Sequence, residues 1–287
     1  WRDQVKKREG LLILGRLRRV LTGEALGNTD GAGNFSGNII AIVGLEATAQ
    51  IELGSIQVTV GAQVFTEPTT PDGTLSNGAG GTGTINYTTG ALTIDTNPDL
   101  AATPVSIDFN YFPGLPVMGI WQREIAGLNQ EDTVFFDTTY AYINPTGAGF
   151  QEWIPGTTWS GGDADFFWAT NYRGVGDNLR LMFVTNDVVN AANPMRYTDG
   201  ATWTDFIPLI SSTDRLFQAR ILIPYWGRLI ALNTWEGTDA GGFGGAKNFF
   251  NRARFSGLGD PTDQGSLGPY VPGNWAQDRF GKGGFLD

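Results

Sequence analysis

The chain is 287 residues long, carries a formal net charge of −10, and contains neither histidine nor cysteine. That composition removes Ser-His-Asp and Cys-His catalysis, histidine- or thiolate-held metals and disulfides, and leaves the redox compartment undetermined. Gly (41) and Pro (14) beside Phe (18), Trp (9) and Tyr (8) describe short strands, frequent turns and large rings, an all-β composition long enough for one large or two modest domains.

The charge is uneven. Residues 1–19 carry Arg2, Lys6, Lys7, Arg8, Arg16, Arg18 and Arg19 against Asp3 and Glu9, a net of +5, so the other 268 residues hold −15. An acidic body repels nucleic acid, and DNA contact is expected only through these seven basic side chains. Docking of the same segment on an acidic protein surface is the competing reading. Val5, Leu11, Leu12, Ile13, Leu14, Leu17, Val20 and Leu21 lie among them. Gly10 and Gly15 break any long helix, which predicts two short strands or a strand and a turn, with strand formation at 11–14; a short helix around 14–22 stays open. The segment is expected to be ordered, docked on the C-terminal repeats or on an adjacent subunit. Trp1-Arg2-Asp3 opens no signal peptide, and the chain is expected to begin inside a longer polypeptide. Residues 22–38, rich in Gly, Asn and Asp, predict a loop, so residues 1–38 read as basic strands and a linker.

Residues 39–111 predict a small inserted β-sandwich or barrel, bounded by Gly37 and by Phe112-Pro113-Gly114. Ile39-Ile40-Ala41-Ile42-Val43 reads as a buried strand, and Ile51, Leu53, Ile56, Val58 and Val60 as period-two positions. Thr84–Tyr87 and Ala91–Ile94 flank a turn whose Gly90 supplies the positive φ a hairpin needs. Val105, Ile107, Phe109 and Tyr111 close the unit. Within it, Gly78 to Gly83 spells G-x-G-x-x-G. A dinucleotide site needs a strand before and a helix after that motif; a hairpin follows, so the motif is a flexible loop and no cofactor is expected.

Residues 112–287 predict a propeller-like array of about three blades, at about 115–160, 163–207 and 216–280, each of some four strands. Within it Trp153-Ile154-Pro155-Gly156-Thr157-Thr158-Trp159 recurs as Tyr197-Thr198-Asp199-Gly200-Ala201-Thr202-Trp203, which predicts Trp159 and Trp203 at equivalent buried positions of adjacent blades. These turns resemble the Asp-box of sialidase-type propellers without its spacing, and read as turns with a packing Trp. Glu124, Glu131, Asp132, Asp137, Glu152, Asp163, Asp165, Asp199 and Asp205 supply carboxylates, but a glycosidase needs two of them held a few ångströms apart, which spacing along the chain does not establish. Asp163/Asp165 and Asp260/Asp263 lack Ca²⁺-loop spacing and read as solvated turn acids. No catalytic, cofactor or metal residue is expected, and no apolar run is long enough to span a membrane.

The stretch Leu222–Gly237, with Tyr225-Trp226-Gly227-Arg228-Leu229, followed by Arg252-Ala253-Arg254-Phe255-Ser256-Gly257-Leu258-Gly259-Asp260-Pro261, resembles virion structural proteins of tailed bacteriophages that build propeller-like rings at the neck or tail hub. Trp1–Gly10 resembles their N-terminal strand region. The hairpin Gly83–Ile94 is similar to a module of phage tail and capsid-decoration domains. The resemblance covers about 60% of the chain with motifs of moderate specificity, because such hairpins recur in unrelated propellers. It implies a non-enzymatic tail or neck component, localised in the virion, that forms a ring with copies of itself and with other virion proteins. A polysaccharide-binding or depolymerising propeller used in host attachment, with a host glycan as partner, is the alternative; a secreted adhesin is a weaker third reading.

Overall fold

The structure, a computed structural model, describes residues 16–124, 131–144, 149–174, 180–186, 188–277 and 283–287. The chain is all-β and divides into two compact units, residues 1–114 with 146–152, and residues 115–145 with 153–287.

The first unit contains β1 (Leu17–Asn28), β2 (Asn34–Asn38), α1 (Ile39–Val43), β3 (Gln50–Ile51), β4 (Gln57–Val60), β5 (Gln63–Thr66), β6 (Thr74–Ser76), β7 (Thr82–Ile85), β8 (Ala91–Asp95) and β9 (Pro104–Phe112), and the later strand Phe150–Glu152. They hydrogen-bond in the order β1-β9-β4-β5-β6-β7-β8-β2, with β3 also on β9 and Phe150–Glu152 parallel to β1. β9 shows the governing pattern: Val105, Ile107, Phe109 and Tyr111 all point inward at period two. Opposite them on β4, Val58 faces Ile107 and Val60 faces Val105. Each such side chain contributes roughly 1.5–3 kcal/mol by burial.

Three expectations are corrected in this unit. Residues 22–28 are not loop but the second half of β1, paired to β9 with two bulges. Gly23 and Gly27, at φ 69° and 124°, allow the strand to bulge and continue, so glycine content marked an irregular strand. Ile39–Val43 is a single helical turn and not a strand. The Asn38 side chain accepts from the Ala41 N–H at 3.1 Å, and Gly44, at φ 76°, ends it. Leu53 stands exposed in the turn between β3 and β4, outside the period-two run. The unit therefore starts N-terminal of residue 39, since β1 and β2 belong to its sheet. The β7–β8 hairpin lies at the expected place. Gly90 has φ 71°, and a Cβ there would meet the Ile40 side chain at 2.7 Å. The G-x-G-x-x-G stretch runs through the β6–β7 turn into β7.

The second unit contains β10 (Val117–Glu124), β11 (Glu131–Asp137) and β12 (Ala141–Ile143), an antiparallel series; the Phe150–Glu152 strand of the first unit is β13. Next come β14 (Trp168–Arg173), β15 (Arg180–Thr185), β16 (Arg196–Thr198) and β17 (Trp203–Asp205), a four-stranded antiparallel meander. Then β18 (Asp214–Tyr225), β19 (Arg228–Thr238) and β20 (Lys247–Phe255) pair in sequence. After the short β21 (Ser266–Leu267) and β22 (Tyr270–Val271), β23 (Gly284–Leu286) adds to the edge of β20. Trp275 is a fully buried turn residue against Phe206. The antiparallel series of this unit begin at Val117, Trp168 and Asp214. No described helix is long and apolar enough to cross a membrane.

Candidate functional site

Of the seven basic residues singled out from sequence, Arg2, Lys6, Lys7 and Arg8 lie outside the described residues, as does the strand expected at 11–14. Arg16 is exposed, with its guanidinium 5.1 Å from the Phe112 ring centre. Arg18 pairs with Glu52 at 3.4 Å. Arg19 donates to the Glu152 carboxylate at 2.8 Å and to the Tyr111 hydroxyl at 2.6 Å. Burial, opposed by the Arg19 charge and reinforced by Glu46, pushes the Tyr111 hydroxyl up to about 12. Arg18 and Arg19 therefore neutralise carboxylates of their own unit, Glu52 just after β3 and Glu152 on β13.

The carboxylates are spent in the same way. Asp132 faces Arg123 at 3.7 Å, Glu124 accepts from Arg173 at 2.7 Å, and Asp205 pairs with Arg196 at 3.1 Å. Asp137 caps the β11–β12 turn through the Thr139 and Tyr140 N–H groups, both at 2.6 Å, and accepts from the Tyr142 hydroxyl. Asp165 accepts from the Gly162 N–H, and Asp199 from the Ala201 N–H. Among the described residues, no group of three or more carboxylates is placed to hold a metal ion.

The most built polar arrangement lies on the third sheet, around a cavity of about 450 Å³ lined by residues of β19, β20 and the C-terminal strand. Glu236, almost fully buried on β19, accepts from Arg254 Nε at 2.9 Å and Nη2 at 2.6 Å, from Arg252 Nη1 at 3.1 Å, and from the Thr234 hydroxyl at 2.7 Å. Burial raises the Glu236 carboxyl, but these hydrogen bonds and the Arg254 charge outweigh it and hold the group below the usual carboxylate range. Arg252 reaches out to Asp287, with Nε at 2.5 Å and Nη2 at 2.8 Å. That bond holds Asp287 low and Arg252 high. Phe249 and Phe285 cover the Arg252 guanidinium at 4.0 and 4.4 Å from their ring centres. Glu236, Arg252, Arg254 and Asp287 are all paired with one another, so the arrangement anchors β23 to β20. Sequence analysis had not singled it out. Its signal was the Arg252-Ala253-Arg254 alternation, which places both guanidinium groups on one face of a strand.

The tandem aromatic motif does not mark equivalent places. Trp153–Trp159 follows β13, and Trp159 lies in no strand; Tyr197–Trp203 spans β16 and β17. The two tryptophans instead meet, with ring centres 5.1 Å apart. What the copies share is turn chemistry, Gly156 at φ 90° and Gly200 at φ 110°. The repeat in sequence is thus a coincidence of turn composition, though both tryptophans pack in the same aromatic core, Trp159 buried and Trp203 partly so.

Comparison with models of known protein families, with characterised proteins and with solved structures found no match.

Proposed function

We propose that the chain is a non-enzymatic structural component of a bacteriophage tail or neck, assembling into a ring with copies of itself and other virion proteins. The observation that supports this reading is the succession of antiparallel strand series beginning at Val117, Trp168 and Asp214, which this proposal reads as blades. Three such series fall short of the four to eight blades of a closed ring. The reading therefore assigns closure to neighbouring subunits, in keeping with the symmetry of most assemblies. The pairing of Asp132, Glu124, Asp205 and Glu236 with arginines supports a scaffold, in which their charge serves packing. The basic residues ahead of β1 would meet the acidic surface of a neighbour or, as the competing partner, DNA. Light scattering after gel filtration, with negative-stain imaging, tests the proposal. A discrete ring-shaped oligomer is expected; a monomer at every concentration reached, with purified partner virion proteins present, overturns it.

A further inference from the structure

The β18–β19 hairpin ends in a two-residue turn, Trp226-Gly227, closed by the Tyr225–Arg228 pair. Both turn residues are left-handed, Trp226 at φ 49° and Gly227 at φ 71°. Such turns favour Asn-Gly or Gly-Gly, and a bulky ring is strained there. Burial of the ring does not offset that strain, because Trp226 is 83% exposed, Tyr225 60% and neighbouring Leu258 62%. The backbone beneath is nonetheless held firmly. The Gly227 carbonyl accepts from the Gly259 N–H at 3.0 Å and from the Tyr172 hydroxyl at 2.8 Å. The Trp168 indole N–H donates to the Leu222 carbonyl at 2.8 Å, and Arg228 Nη1 to the Ser256 carbonyl at 2.6 Å. A strained, exposed ring on a fixed backbone is preorganised for a ligand.

We infer that Tyr225 and Trp226 form a stacking platform for a neutral carbohydrate chain. The two rings lie 6.3 Å apart, inclined at 53°. Such a pair covers far less than the roughly 1,200–2,000 Å² that a stable protein–protein interface buries. It does suit the apolar C–H faces of one or two sugar rings. Charge points the same way. Pro224, Tyr225, Trp226 and Gly227 are uncharged, and the Arg228 guanidinium is engaged with Ser256 and lies 5.5 Å from the Phe255 ring centre. With the chain at −10, an acidic polymer would be repelled. The Tyr225 hydroxyl supplies a donor and acceptor for sugar hydroxyls at the edge of the rings. This inference stands on the hairpin alone and not on the proposed virion role.

The test uses the full chain, titrated with maltohexaose, cellohexaose and the N-acetylglucosamine hexamer and read by saturation-transfer NMR and calorimetry. Trp226→Asn is the informative variant, because Asn accepts the left-handed conformation that strains Trp. Saturable binding of at least one glycan is expected, weakened about tenfold or more in Trp226→Asn and also weakened in Tyr225→Ala. The circular dichroism of Trp226→Asn should match wild type, with a thermal midpoint no lower. No saturable binding to any of the three glycans overturns the inference. So does undiminished binding by Trp226→Asn, or self-association that Trp226→Asn abolishes, which would assign the tip to a protein contact.

Discussion

Phe136, fully buried on β11, collects the rings of this part of the second unit. It stacks on Phe167 at 4.9 Å with planes 16° apart, and meets Trp159 edge-on at 5.8 Å. Trp203 in turn packs against Trp159 and Trp153 at 5.1 and 4.9 Å. Aromatic pairs in these offset and edge-on arrangements add about 0.5–1.5 kcal/mol each beyond area burial. Trp159→Ala should therefore cost about 3–5 kcal/mol, measurable as a shift of the urea midpoint. Trp159→Phe should cost much less, because the Trp159 indole N–H is buried with no hydrogen-bond partner among the described residues, and no such bond is lost with it. A similar loss from both variants would show that the indole N–H, and not the packing, matters. The sequence pointed to both tryptophans as packing residues through their place after Gly-containing turns. It did not show that they converge, since that depends on strands far apart in the chain folding together.

At the scale of elements, the join of β19, β20 and β23 turns on one buried carboxylate. Glu236 is lower in the folded chain than its ordinary value of 4.5. A group of that kind contributes stability above its unfolded pKa and loses it as pH falls through the folded value. The thermal midpoint of the wild type should therefore drop on acidification below about pH 4.5, and more steeply than that of Glu236→Gln. A separate variant, Arg254→Leu, leaves Glu236 with one fewer guanidinium and should destabilise by about 3–5 kcal/mol at neutral pH, seen in chemical denaturation. Matching acid profiles for wild type and Glu236→Gln would remove Glu236 as the source. At the other end of the chain, α1 shows how two residues decide an element. The Ile39–Val43 run, with four β-branched residues, favours a strand by its side chains. Asn38 as a cap and Gly44 in the left-handed region choose the helix. Asn38→Ala should cost about 0.5–2 kcal/mol in thermal unfolding.

For the whole molecule, the first unit assembles from segments that the sequence placed in different parts. β9 pairs with β1 on one side and with β4 on the other, and β8 pairs with β2. A fragment of residues 39–111 would leave the outer edges of β8 and β9 open and would bare their apolar partners. It is expected to lack a cooperative thermal transition. A fragment of residues 16–114 restores both pairings and should melt cooperatively by calorimetry and circular dichroism. Equal behaviour of the two fragments would show that β1 and β2 are dispensable decoration. The second unit was easier to divide, because its sheets are built from neighbours in sequence joined by short connections, and local alternation suffices to trace them.

The sequence by itself determined the β character of the chain, the β7–β8 hairpin and the inward face of β9. All of these follow from period-two alternation and from turn residues whose φ preferences act locally. The tertiary structure alone decided the path of β1 through its glycines, because a bulged strand and a loop share the same composition until a partner strand supplies the hydrogen bonds. It alone decided that Arg18 and Arg19 serve Glu52 and Glu152, and that Arg252 and Arg254 meet at Glu236. Charge pairing at such separations depends on distance in space, where desolvation makes each buried ion demand a partner. It alone showed Trp226 exposed at a strained turn, since whether an aromatic ring packs or projects depends on what the rest of the chain brings to its face.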